Sequence, residues 1–291
     1  MSQSIEPRTG AETADIDGDE EPADRDDPTA TTERVDASTA DPETSGDTDE
    51  TRSNARDASG TDAGHFTFDD LSVVMGTYNE EAAIATVLED IERVTNGRAE
   101  VVCVDGSSDR TPEIAREHGA TVIEQEPQGY GVAVEAAIRA PDRPVVVTTD
   151  CDDTYPMERL PAFLEAINDG ADVVSGDRLY HGAETMPVFN RFGNHAFAGI
   201  ASFLMGTRVH DTTTGMRAYR REVIESIEWT ENTGLSAELL IRPLVRGYDV
   251  QEVPIPYGER AGETKLDPIE GGAAIAKSIV TVCLEERLRQ L

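Results

Sequence analysis

The chain has 291 residues and a formal net charge of −33, from 58 Asp and Glu against 25 Lys and Arg. A surface this acidic has no basic patch to neutralise phosphates, which excludes nucleic acid as a partner. Three scattered cysteines (Cys103, Cys151, Cys283) without CxxC spacing exclude a disulfide framework or zinc–thiolate site, and no run of 18 or more apolar residues is present to cross a bilayer as a helix.

Residues 1–65 hold 19 acidic and 5 basic side chains, and their only large aliphatics are Ile5, Ile16 and Val35. Such a segment buries too little apolar surface to offset its chain entropy, so a disordered acidic tail is expected there. It lacks the basic start and apolar run of a secretory leader. Residues 66–291 carry the remaining −19 and do contain core-forming runs. Lys265 and Lys277 are the only lysines; every other cationic side chain is Arg. This composition suggests a cytoplasm of molar salt, where a Debye length of about 3 Å leaves surface charges little mutual repulsion.

From residue 71 the pattern alternates strand and helix. Leu71–Met75 is a buried strand; Asn79 is expected to cap a helix with Ile84, Val87, Leu88, Ile91 and Val94 at helical spacing. Val101–Val104 is a second strand, followed by a helix capped by Asp109 with Pro112 in its first turn. Thr121–Ile123 is a third strand. A glycine-rich turn, Gln128-Gly129-Tyr130-Gly131, leads into helix 132–139, then strand Val145–Thr149, helix 157–168 and strand Asp172–Ser175. This βαβ series predicts an α/β fold with a mostly parallel sheet, and ligands beyond the carboxyl ends of its strands.

Three polar clusters follow those ends: Gly76-Thr77-Tyr78-Asn79-Glu80, Asp105-Gly106-Ser107-Ser108-Asp109 and Asp150-Cys151-Asp152-Asp153. Asp150 and Asp152, one residue apart at a strand tip, suit a hard cation such as Mg²⁺ or Mn²⁺, which takes carboxylates, phosphate oxygens and water. The alternative is a loop of solvated acids. Asp105 is placed to bond a base or ribose, and Tyr78 to stack on a base. Arg178 and Arg191 suit phosphate, or else form ordinary salt bridges. Arg260-Ala-Gly-Glu-Thr-Lys265 places a lysine and an arginine on a glycine-containing loop that reads as a phosphate-closing lid. Glu238, in a helix over 236–245, is a further candidate acid, or one more surface Glu.

The order of these motifs resembles the family-2 glycosyltransferases of GT-A fold, and within them the branch of dolichyl-phosphate mannose and glucose synthases. Gly76-Thr77-Tyr78-Asn79-Glu80 is similar to their P-T-Y-N-E motif. Val104-Asp105-Gly106-Ser107-Ser108-Asp109-Arg110-Thr111 is similar to V-D-D-x-S-x-D-x-T, and Asp150-Cys151-Asp152-Asp153-Thr154-Tyr155-Pro156 to D-G-D-G-T-Y-P. Gly176-Asp177-Arg178, then Asp211 to Tyr219, then Arg260 to Lys265 complete the series over about residues 70–285. Gly76 replaces a Pro, Gln128 and Tyr130 stand where many relatives place a Lys, and Cys151 and Asp153 replace small residues. The Q-x-x-R-W motif of processive synthases is absent, which argues for transfer of one sugar.

The resemblance implies nucleotide contacts from Thr77, Tyr78, Glu80 and Asp105, with Asp150 and Asp152 holding the metal and diphosphate. It implies phosphate contacts from Arg178, Arg191, Arg260 and Lys265. The donor would be UDP-glucose, UDP-N-acetylglucosamine or GDP-mannose, and the acceptor dolichyl (polyprenyl) phosphate, for protein N-glycosylation in a salt-loving archaeon. With a phosphate nucleophile, attack opposite the diphosphate inverts the anomeric centre. Three other readings stay open: a soluble or lipid-linked glycan acceptor, a nucleotidyltransferase (whose glycine- and lysine-rich start motif is missing), and a non-catalytic interaction protein.

One segment bears on the acceptor. Over 187–206, Phe189, Phe192, Ala196, Ile200 and Phe203 share a helical face, away from Arg191, Asn194 and His195. Taken as pattern, such a stripe more often packs on the protein's own core; the resemblance favours a membrane interface. Helix 273–289, with Ile275, Ile279 and Val282, is a second candidate surface helix. The expected location is the cytoplasm, peripherally on the cytoplasmic face of the cell membrane.

Overall fold

Short apolar runs ending in polar tips build one edge-aligned sheet. The computed structural model describes residues 65–180, 186–258 and 268–289. The acidic tail, except His65, and the Arg260–Lys265 loop therefore lie outside the described residues. Strands β1 (Leu71–Thr77), β2 (Glu100–Asp105), β3 (Thr121–Glu124) and β4 (Val145–Thr148) pair in parallel, as do β5 (Val173–Asp177) and β7 (Val250–Pro254). The order is β3-β2-β1-β4-β6-β5-β7. Strand β6 (Arg217–Arg220) is antiparallel to both β4 and β5.

The two faces bury alternate strand residues, as the pleat requires. Val73, Met75, Cys103 and Val147 pack with helices α1 (Ile84–Thr95) and α4 (Leu160–Asn168), through Ile84, Leu88, Ile91, Phe163 and Ile167. Val74, Val102, Val104 and Val146 pack with α3 (Tyr130–Arg139), α6 (Arg221–Ser226) and α7 (Leu235–Val245), through Val134, Ile138, Ile224 and Leu239. Helix α2 (Thr111–Glu117) adds Ala115 to the first face. Outside α7 lie α5 (Val188–Met205) and α8 (Pro268–Arg289), which share with it a third cluster of Ala201, Ala237, Ile241, Ile279 and Val282.

Four expectations need correction. Asn79 does not cap α1: it adopts φ +53° and its Oδ1 accepts from the Ser108 backbone N–H at 2.9 Å, tying the β1 and β2 tips together. Asn tolerates this left-handed conformation and bonds locally in turns. Asp109, by contrast, does accept from the Thr111 N–H at the start of α2 (3.0 Å). Strand β6 was not foreseen, because a run beginning and ending in Arg reads as exposed. Arg217 is instead fully buried, donating to Ser175 Oγ and Thr212 O at 3.0 Å each. Glu238 is neither a site acid nor a surface residue. It is fully buried, accepting from the Thr230 and Glu231 N–H groups and from Arg242 Nε (2.5 Å), while Arg242 reaches Glu286 of α8.

The fourth correction concerns α8. The α5 stripe faces outward, as the resemblance implied: Phe192 is 74 % exposed and Phe203 85 %, with Phe189 and Ile200 also exposed, whereas Ala198 and Ala201 face the core. On α8 the residues singled out in the sequence face inward, Ile279 and Val282 fully buried. Among its described side chains, the exposed large apolar ones are Val280, Leu284 and Leu288, at i, i+4 and i+8.

Candidate active site

Because β1, β2, β4 and β5 run parallel, their carboxyl ends deliver polar tips to one edge. A cleft of about 890 Å³ opens there, lined by Thr77, Tyr78 and Glu80 after β1, Gly106 after β2 and Gln125 to Tyr130 after β3. Asp150, Cys151 and Asp152 follow β4, and Arg178 follows β5. Its far wall comes from the outer helices: Phe189, Gly193, Asn194 and Phe197 of α5 and Ile275 of α8, with Met186 beside them.

The structure thus gathers Thr77, Tyr78, Glu80, Asp150, Asp152 and Arg178 around one space. Asp105 is placed differently. Its carboxylate is buried and accepts from Thr77 Oγ1 (2.6 Å), Ser107 Oγ (2.7 Å) and the Ser107 N–H (3.0 Å), so it braces the β1 and β2 tips and does not line the cleft. Arg191 sits one residue from Asn190 on α5 and is not a lining residue either.

The Asp150–Asp152 pair is held on both sides. Tyr130 hydroxyl donates to Asp150 Oδ1 at 3.1 Å. A Cβ on Gly215 would lie 2.5 Å from Asp150 Oδ2, so only glycine allows that close approach. Asp152 accepts from Thr154 Oγ1 (2.5 Å) and the Thr154 N–H (3.2 Å). Between them, the Cys151 thiol is pushed well above its ordinary pKa, by burial first and then by Cys103, Glu80 and the two aspartates.

Arg178 is almost fully buried at the cleft wall. Its Nε and Nη2 form a fork to Asp211 Oδ2 and Oδ1 (2.6 and 2.8 Å), Nη2 also reaches Thr213 Oγ1 (2.9 Å), and Nη1 reaches the Tyr155 hydroxyl (3.3 Å). The guanidinium lies 5.3 Å from the Tyr257 ring centroid. Burial opposes both charges of the pair. Their mutual attraction outweighs it, holding Asp211 below and Arg178 well above the ordinary values. Thr213 Oγ1 then donates to Asn194 Oδ1 (2.9 Å), which ties this charged corner to α5.

Asn232 was invisible in the sequence. Its Oδ1 accepts from the Gly131 N–H (2.8 Å) and its Nδ2 donates to Gln128 O (2.9 Å), gripping the glycine-rich turn from a loop a hundred residues away. Gly129 in that turn has φ +109°, and a Cβ there would collide with the Asn232 side chain at 2.5 Å. Only its place in an Asn-Thr-Gly turn marks Asn232, and that signal says nothing of its contacts.

The glycosyl transferase family 2 model matches residues 72–228, which contain β1 to β6 and every described cluster of the strand tips. A dolichyl-phosphate hexose transferase of Haloferax volcanii is 80 % identical over 224 residues, spanning 77 % of this chain and 98 % of that protein. The chain belongs to glycosyl transferase family 2. A dolichol-phosphate mannosyltransferase of Pyrococcus furiosus is 30 % identical over 210 residues, 67 % of this transferase and 59 % of that one. A polyprenol monophosphomannose synthase of Mycolicibacterium smegmatis is 29 % identical over 204 residues, 65 % and 77 % of the two chains. Among solved structures, glucosyl-3-phosphoglycerate synthase of Mycobacterium tuberculosis in complex with UDP superposes with a TM-score of 0.60 at 21 % identity, over 74 % of this chain and 79 % of that one. The transferase therefore has the GT-A fold expected from its motifs.

Proposed function

We propose that this glycosyltransferase moves one hexose from a nucleotide diphosphate sugar to dolichyl phosphate. The observation that carries this reading is the composition of the cleft. A floor of carboxylates and a guanidinium meets an apolar wall from α5 and α8, whose outer faces expose Phe192, Phe203, Leu284 and Leu288. A soluble sugar acceptor needs no such wall, whereas a polyprenyl chain needs both the wall and a bilayer beside it. The 80 % identity to a dolichyl-phosphate hexose transferase supports the same acceptor.

In this reading Tyr78 stacks on the base, with Thr77 and Glu80 at the ribose and Asp105 fixing the strand tips beneath. Asp150 and Asp152 would hold Mg²⁺ or Mn²⁺. Their oxygens suit either ion, and the described residues contain no cluster of three or more His, Cys, Asp or Glu to hold a metal without help. Two carboxylates leave positions for the donor's own phosphate oxygens and water. When bound, the ion supplies charge neutralisation for the departing diphosphate. The acceptor phosphate is already an anion at neutral pH, so the chain need not supply a base. One of its oxygens attacks the anomeric carbon, the bond to the nucleoside diphosphate breaks, and the electron pair leaves on that diphosphate. Configuration inverts. Arg178, fixed by Asp211, offers charge at the wall, with Arg260 and Lys265 as further phosphate contacts. Catalysis then rests on positioning and electrostatics.

The test is transfer of labelled sugar from UDP-glucose, UDP-N-acetylglucosamine and GDP-mannose to dolichyl phosphate in molar KCl with Mg²⁺. A chloroform-soluble, β-linked product is expected from an α-linked donor. A water-soluble product alone, or retained configuration, would overturn the acceptor or the mechanism respectively. This reading places the enzyme in protein N-glycosylation, peripherally on the cytoplasmic face of the cell membrane, and both require the lipid product to form.

The outer face makes a separate prediction. Phe192→Ser with Phe203→Ser should leave the thermal midpoint unchanged, since both rings are mostly solvent-exposed. Each fully inserted Phe contributes about 1.5–3 kcal/mol, so the vesicle-bound to free ratio in flotation with polyprenyl-phosphate vesicles in molar KCl should fall about tenfold or more. Equal flotation of variant and parent would remove α5 from the membrane contact.

A further inference from the structure

We infer that Tyr130 and Asn232 act as one positioning device for Asp150, setting the carboxylate that the proposed function assigns to the metal and diphosphate. The inference rests on that metal reading and adds two residues outside the strand-tip motifs.

Tyr130 is the first residue of α3, so the turn before it decides where its hydroxyl points. That turn has little rigidity of its own, since it carries glycines at 129 and 131. Asn232 supplies the rigidity by holding Gln128 O and Gly131 N–H at once, with its backbone packed where any Gly131 side chain would be. From below, a Cβ on Gly76 would lie 3.0 Å from Ala133 Cβ, so α3 is seated directly on β1. The loop carrying Asn232 is fixed in turn. Glu238 accepts the Thr230 and Glu231 N–H groups, and Arg242 joins Glu238 to Glu286. The end of this chain of contacts is the Tyr130 hydroxyl on Asp150 Oδ1, opposite the Gly215 face. Tyr130 thus fixes the direction of a carboxylate that must meet a cation with narrow geometric tolerance.

The experiment is calorimetric titration of Mn²⁺ into the full chain in molar KCl, with saturating UDP in one arm and GDP in another. Wild type is compared with Tyr130→Phe, Asn232→Ala and the double variant, and each is also heated to its unfolding midpoint. Loss of one hydrogen bond to a charged group corresponds to roughly tenfold weaker Mn²⁺ binding. Each single variant should show it, the double should be no weaker than either single, and Tyr130→Phe should keep the parent's thermal midpoint. The KM for the metal should rise with kcat at saturating metal nearly unchanged. Mn²⁺ affinity within twofold of wild type in Tyr130→Phe would overturn the device while leaving the metal reading intact. So would a double variant weakened by the product of the two singles, which means independent action. If wild type binds Mn²⁺ no better than Asp152→Asn in both arms, the metal reading fails and this inference with it.

Discussion

Replacing Asp152 by Asn should lower kcat for sugar transfer on the order of 10³-fold, about 4 kcal/mol of transition-state stabilisation. The substitution keeps the volume of a buried side chain and removes the charge that the proposed function sets against the departing diphosphate. Thr154 Oγ1 and the Thr154 N–H both donate to Asp152 Oδ1, so the amide oxygen of Asn keeps both bonds and the thermal midpoint should stay close to that of the parent. Single-turnover transfer at saturating donor separates chemistry from binding. A folded Asp152→Asn retaining more than about a tenth of the wild-type rate would show that the pair does not carry the charge of the reaction.

The second large effect is on stability. Asp211→Ala leaves the Arg178 guanidinium almost buried without its carboxylate, and removing one partner of such a pair costs about 3–5 kcal/mol. Denaturant unfolding in constant molar KCl measures it. The pH dependence has a definite sign. Asp211 has a folded-state value below the ordinary 3.8, because Arg178 overcomes the opposing effect of burial. Its contribution is therefore complete above about pH 4 and is lost as pH falls through the lower folded value. The gap between wild type and Asp211→Ala should be constant near neutrality and narrow only in acid below pH 4. A gap that narrows on going from pH 7 to pH 5 would mean that another group governs the difference.

The strand tips were legible in the sequence because apolar runs ending in Thr77, Asp105 and Asp150 impose both a parallel sheet and its ligand-bearing edge. What remained hidden depends on partners distant along the chain. Arg178 finds Asp211 33 residues on, Gly131 finds Asn232 101 residues on, and Arg242 finds Glu286 44 residues on. A charged residue reads as exposed until such a partner is known, which is why Arg217 concealed β6 and Glu238 resembled a site acid. The direction of the α5 stripe came from the resemblance and not from the pattern. An apolar helical face has the same period whether it meets a core or a bilayer, and only the placement of Ala198 and Ala201 decides which side turned inward. Asn79 misled because its side chain serves caps and turns equally well, and the loop after β2 claimed it.

The antiparallel strand β6 lies between β4 and β5, so the tips bearing Asp152 and Arg178 are two ladder steps apart, on the order of 10 Å. That gap is set by backbone pairing and not by side chains. Substitutions can retune which sugar or nucleotide the cleft accepts, but they leave the spacing of the two strands unchanged. An enzyme engineered from this scaffold for a shorter or longer donor would have to change the Thr212–Gly215 entry to β6, which threads between them, because the sheet itself acts as a ruler of fixed length.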